Sequence, residues 1–542
     1  MSVRNGFVLL LALSALTFLV ACGGSSSGIT IGVPPPTGGF TNANLTGTYV
    51  FAVSGIDFQG DPVSMVGTFT ADGSGGNGKG GITGGTIDIN DAAATPVANA
   101  QINTNSFYSI GKDGRGQATI GVPANPINGD NIVFDFVLQN SSHGLITGFN
   151  GDYTGSGTID LQSSPAASGS YAFILSGFDA SNAFASVGNF TLGSGGAITS
   201  GLADFNDGGF PYAESLSGGV VLGPSATPGT TLITLQFGTQ TYDVYGIDST
   251  HLKFIEMDPG VTLAGDAYSQ SSTSMPVGTL PFTISGSYPG PSTFSVAGGF
   301  IVTDASGDIT SASTEDANNG GTVSPSPITF SGNYVAAGTG RFTLALSGFS
   351  DGLEYAAYPS SAGVLLLEID TATSSIMSGV AYPPQSSTAF STSAGYALNL
   401  TGANLTNGVE VDDIAEFAAD STGTTVTGVI DENYQPNSTG TPIFGVALTG
   451  TYTAPDSNGR GQIVATAANG SNSTINGGLG LTFYTVDGTT FPFIETDANG
   501  QVTSGVFVQQ STTAGAAVAK PHNMFVPHPL IRPHAKQKQE AK

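Results

Sequence analysis

One phrase opens four successive stretches of this chain. It reads Gly47-Thr48-Tyr49-Val50-Phe51-Ala52-Val53-Ser54-Gly55, then Gly169-Ser170-Tyr171-Ala172-Phe173-Ile174-Leu175-Ser176-Gly177. It returns worn as Pro281-Phe282-Thr283-Ile284-Ser285-Gly286, and in full as Gly395-Tyr396-Ala397-Leu398-Asn399-Leu400-Thr401-Gly402. Alternate residues of a strand share a face, so Tyr49, Phe51 and Val53 and their counterparts line one side. The flanking glycines mark turns. Matching closing strands end at Gln162, Gln270, Gln385 and Gln509. A unit of roughly 115 residues is a domain, because solenoid repeats run about 20–50 residues.

The last unit holds eight strand candidates: 394–401, 412–419, 424–430, 444–453, 460–467, 478–486, 491–497 and 502–509. Short Asp, Asn and Gly-rich connections make neighbours antiparallel hairpins. The expected fold is therefore all-β: four tandem antiparallel domains of about eight strands each, closed as up-and-down barrels. The rival is a β-sandwich from the same strands. The expected domains are 45–163, 168–271, 278–386 and 392–511, ahead of a disordered basic tail over 512–542. Nothing outside the leader approaches about 18 uninterrupted apolar residues, so no spanning helix is expected.

Acidic residues outnumber basic ones 39 to 12, for a formal charge of -27. That field disfavours nucleic acid, whose phosphates need Lys and Arg. Cys22 is the only cysteine, so stability cannot come from an intramolecular disulfide. Arg4 precedes an apolar run from Phe7 to Val20, and Leu19-Val20-Ala21-Cys22-Gly23 follows. This resembles the lipobox of bacterial lipoproteins. The resemblance implies a signal peptide over 1–21, cleavage at Ala21–Cys22, and lipidation of Cys22 as the membrane anchor. Gly23 and Gly24, with no Asp after the cysteine, go with the outer membrane in cells that have one. Residues 22–44, rich in Gly, Ser and Pro, form a tether.

Within the units, Glu256 with Asp258, Glu368 with Asp370 and Glu495 with Asp497 stand two residues apart. In a strand each pair faces one side, as glycoside hydrolysis could use. A structural role fits better, because the pair stands at one position in three units. Arg115, Arg341 and Arg460 recur at another position, and the second unit lacks this Arg. Glu368 with Arg341, and Glu495 with Arg460, are expected as internal ion pairs or as turn anchors. Asp-Asn-Gly turns lack the distal Glu of a calcium loop. His143 and His251 stand beside no nucleophile motif. The expectation is a non-enzymatic cell-envelope lipoprotein with a binding, structural or adhesive role. It needs no cofactor or metal, and its partner is a glycan or an envelope protein. The alternatives are a carrier of small apolar ligands inside the barrels and, more remotely, a carbohydrate-active enzyme.

Overall fold

A computed structural model describes residues 39–513, apart from 77, 124, 128–130, 164–167, 180–181, 194–196, 218–231, 238–239, 289–292, 350–351, 422–423, 436–441 and 468–477. The leader, Cys22, most of the tether and nearly all of the tail lie outside the described residues. Apart from one 3-10 turn at Asn42–Asn44, the regular structure described is strand, and no described helix is long and apolar enough to cross a membrane.

Each unit is an antiparallel meander. In the first, Thr46–Asp57 pairs with the following strand, Pro62–Asp72, and with the last, Tyr153–Leu161. Gly80–Asp91 bridges to Phe107–Ile110 and closes an eight-stranded barrel, with Val97–Gln101 as an added edge strand. The third unit closes the same way through Gly278–Ser287 and Ile376–Ala381. The fourth closes from Gly395–Asn404 to Gln501–Gln509. The second is a curled sheet of eight strands whose ends are Phe210–Leu216 and Leu232–Phe237. The barrel reading of the hairpins therefore holds over the sandwich. Closure removes exposed sheet edges from three of the four units.

The lumens are filled with rings. Tyr49, Phe51, Phe69, Phe134 and Tyr153 pack inside the first barrel. In the fourth, Tyr396, Phe417, Phe483, Phe491 and Phe507 interlock, and Phe390 enters from the preceding connection to stack on Tyr396 with centroids 5.2 Å apart. A void in the third barrel measures about 10 Å³, space for one water.

The opening strands are buried on both faces. Tyr49, Phe51 and Val53 fill the first lumen, while Val50 and Ala52 pack against Tyr245 and Ile255 of the second unit. Similar apolar clusters join second to third, third to fourth, and fourth back to first. The described residues belong to one compact unit. Within it the four units form a closed ring, each touching its predecessor and successor.

Candidate functional site: a polar clasp repeated at four seams

Each unit carries an Asp-x-Asn triplet in its third long strand: Asp88-Ile89-Asn90, Asp204-Phe205-Asn206, Asp316-Ala317-Asn318 and Asp431-Glu432-Asn433. Strand alternation sends Asp and Asn outward together and the middle residue toward the lumen. All eight outward side chains are buried, because the next barrel covers them.

The asparagines reach backbone carbonyls of the next unit. Asn90 Nδ2 donates to Glu256 O (2.6 Å) and Val261 O (2.7 Å). Asn206 donates to Glu368 O (2.9 Å) and Ser375 O (2.8 Å). Asn318 donates to Glu495 O (3.1 Å) and Gln501 O (2.9 Å). Asn433 closes the cycle on Gly148 O (2.7 Å) and Tyr153 O (2.9 Å) of the first barrel. Each amide satisfies carbonyls at the end of a hairpin that would otherwise be buried without partners.

A glutamine just beyond each closing strand repeats this logic. Gln162 donates to Gly246 O, Gln270 to Pro359 O and Gln385 to Thr485 O. In the last unit the counterpart is Gln510, not Gln509; it donates to Asp113 O and Leu138 O, both at 2.9 Å. Gly209 shows how close the seams run. Its φ is +89°, and an added Cβ would lie 2.2 Å from Ser374 O across the second seam.

The arginines join this clasp. Arg341 forks onto Asp204 of the second unit with two 2.6 Å bonds. Arg460 forks onto Asp316 of the third at 2.8 and 2.9 Å. Arg115 places one nitrogen 2.8 and 2.9 Å from the two oxygens of Asp431 and also binds Asp113. Burial opposes the Arg115 charge, but Asp431 and Asp113 outweigh it and raise its pKa. The expected internal pairs, Glu368 with Arg341 and Glu495 with Arg460, do not form. In each barrel the Arg points out of the wall, while the Glu follows lumen residues Leu366 or Phe493 and points in.

The glutamates anchor turns instead. Glu256 accepts the Asp258 N–H (2.7 Å) and Asn90 Nδ2 (3.1 Å), Glu368 the Thr373 hydroxyl (2.9 Å), and Glu495 the Thr503 hydroxyl (2.6 Å). Burial lifts their pKa values to about 9, 9 and 8. Asp258, Asp370 and Asp497 lie beyond the strand ends; Asp258 accepts the Thr241 N–H, Asp370 and Asp497 accept turn N–H groups, and each stands close enough to its glutamate to add to the rise in that glutamate's pKa. Among the described residues no group of three or more His, Cys, Asp or Glu is placed to hold a metal ion.

The first seam departs from the pattern. In backbone register with Tyr245 stands Leu232, where Arg460 faces Tyr484 in the fourth unit. Asp88 accepts the Tyr245 hydroxyl (2.7 Å) and the Asn99 N–H instead. Burial, then the neighbouring Asp243 carboxylate, pushes Asp88 up to about 8. A second set of charges supports this seam. Lys253 lies 2.9 Å from Asp266 and 3.5 Å from Asp160; His251 and His143 each sit 2.7 Å from one of those carboxylates. Burial opposes the Asp266 charge, but Lys253 and His251 hold it down at about 2. No local pattern announces that His143 and His251 join one charge cluster across two units. The cavity beside Lys253 and Asp266 measures about 10 Å³, space for one water.

Asp88→Asn mimics the neutral acid. It is expected to leave stability near pH 6 within about 0.5 kcal/mol and to flatten its decline toward pH 8. Thermal melts across that range check this. Asp204→Asn, facing Arg341, is expected to destabilise by about 1.5–3 kcal/mol at both ends of it.

Comparison with protein-family models and with curated proteins gives no match. Among solved structures, a candidate AttH protein from Nitrosomonas europaea aligns over 45% of this chain and 99% of its own. Identity is 12% and the TM-score 0.16, too low to carry any argument.

Proposed function

We propose that the chain is a non-enzymatic lipoprotein of the bacterial cell envelope, a stiff binding or structural body held to the membrane through Cys22. The observation that carries this reading is where the recurring polar groups lie. The Asp-x-Asn triplets, the glutamines and the three arginines all join barrel to barrel, which leaves them no part in reaction chemistry. The His143–Asp160–Lys253–Asp266–His251 cluster is likewise buried around space for one water. The carrier reading needs a vacant lumen, and the packed rings weigh against it. For the binding role, Phe210 and Tyr212 form an exposed aromatic strip, 74% and 45% accessible, with Tyr212 stacked on Phe205. Such a strip suits stacking on a glycan ring.

Metabolic labelling with palmitate in a bacterial host tests the anchoring. The expected result is label on the wild-type chain, located in the membrane fraction, and none on Cys22→Ala. An unlabelled wild-type chain released to the soluble fraction would overturn the reading.

A further inference from the structure

Two acids stand at the fourth seam at a place where the other units carry none. In the last barrel Asp412 pairs in register with Thr401, and Glu410 lies two residues back on the same face. The same register to the opening strand gives the matching positions. They are Pro62 and Ser64 in the first unit, Ala183 and Ala185 in the second, and Phe294 and Val296 in the third. Those positions are settled without charge. Ser64 shares a hydrogen bond with Ser54, while Ala183, Ala185, Phe294 and Val296 join apolar clusters against the next unit.

Glu410 and Asp412 instead press on the first barrel. Asp412 Oδ2 accepts the Thr154 hydroxyl (3.0 Å), and Thr401 and Glu410 crowd the same carboxyl. Glu410 Oε1 approaches Gly55 so closely that an added Cβ there would lie 2.9 Å from it. Glu410, Asp412, Thr154 and Thr401 are each at most 1% exposed. Yet both Glu410 oxygens, Asp412 Oδ1 and Thr401 Oγ1 find no partner of hydrogen-bonding geometry. Among the described residues, no Lys, Arg or His forms an ion pair with either acid. Two carboxyl groups thus meet in a dry seam with three of their four oxygens unengaged. Ionised, they are strongly unfavourable there unless a cation joins them.

We infer that the seam between the last and first barrels is a calcium site, with Glu410, Asp412 and Thr401 as ligands from the last barrel and Thr154 from the first. The donor set is all oxygen and carries two negative charges, which suits a hard divalent cation and not zinc. Magnesium demands a regular octahedron and keeps several waters, whereas calcium accepts hydroxyls and main-chain carbonyls in a flexible shell. The site needs no third acid, because calcium draws its remaining ligands from carbonyls and water. The other three seams join consecutive units. This one joins residues 258 apart in the chain, so the ion fastens the ring where no short connection does. The inference does not depend on the lipoprotein reading.

The full-length protein is dialysed against chelator and melted in EDTA, in calcium chloride and in magnesium chloride, each salt at about 1 mM. The expected result is a melting temperature about 2–4 °C higher in calcium than in chelator, and a smaller rise in magnesium. Elemental analysis after gel filtration in calcium is expected to find bound calcium equimolar with the chain. Glu410→Gln combined with Asp412→Asn is expected to lose both the shift and the ion. This variant is expected to fold, since the matching positions of the other units are neutral, and to melt in chelator at or above the wild type. Asp456→Asn, in an exposed Asp-Asn-Gly turn, is expected to keep the shift. An equal rise in the wild type and the Glu410/Asp412 variant would place the ion at the exposed turns and overturn the inference. No shift and no bound calcium in the wild type would mean that Glu410 and Asp412 share a proton instead, and would overturn it as well.

Discussion

Arg115→Met is expected to lower the unfolding free energy by about 3–5 kcal/mol, more than any single change on the outer surface. The guanidinium lies between the first and last barrels and faces Asp431 and Asp113, with Asp135 and Glu416 close by. Without it, Asp431 is a buried carboxylate facing other acids. Asp431 must then take up a proton or the seam must part, and either costs stability at neutral pH. Equilibrium urea unfolding measures the loss. Arg115→Met combined with Asp431→Leu is expected to recover much of it, because a buried pair replaced by apolar groups is often neutral. Lys79→Met, an exposed cation on the same barrel, is the control and is expected within about 0.5 kcal/mol of wild type. Equal behaviour of Arg115→Met and Lys79→Met would mean that the ring stands open between its first and last members in solution.

Melting temperature is expected to be highest near pH 4–5 and to fall by about 5–10 °C toward pH 9. Burial raises the carboxyl groups of Glu256, Glu315, Glu368, Glu416 and Glu495 to about 8 or 9. Glu410 and Asp413 are pushed well up by burial and by the neighbouring Asp412 and Glu432. A folded acid with a raised pKa binds its proton more tightly than the unfolded chain does. Its contribution is therefore complete below the unfolded value and is lost as pH climbs through the folded one. Asp160 and Asp266 act oppositely. Burial raises them, but His143 and Lys253 for Asp160, and Lys253 and His251 for Asp266, carry them below the usual range. Their contribution is present above the unfolded value and lost as pH falls through the folded one. Calorimetric scans from pH 3 to pH 10 check both limbs. A flat profile, or one rising toward pH 9, would show that the buried acids ionise without cost.

The barrels were legible because a filled lumen forces strict alternation. Tyr49-x-Phe51-x-Val53 and Tyr396-x-Leu398-x-Leu400 each write one face of a strand. The ring was not legible. Asn90 finds its carbonyls in residues 256 and 261, and Asn433 finds its own in residues 148 and 153, so no local pattern announces the partner. The recurring arginines suggest ion pairs within one repeat, but their partners stand in the neighbouring one. Wall thickness defeats that pairing, since Arg460 leaves the outer face while Glu495 enters the lumen. One clue was available: Asp-x-Asn stands at the same place in every unit, and a polar pair on the outside of a barrel has no local use.

Each seam joins unlike surfaces, the triplet of one unit against the hairpin carbonyls of the next. Such heterologous contacts, repeated with a constant turn, generate rotational symmetry from identical subunits. A solitary module bearing both halves of the clasp would therefore assemble with three copies of itself about a fourfold axis. Fusing four copies into one polypeptide fixes that stoichiometry and frees each quarter to diverge. The arginine missing from the second quarter marks where that freedom has been used.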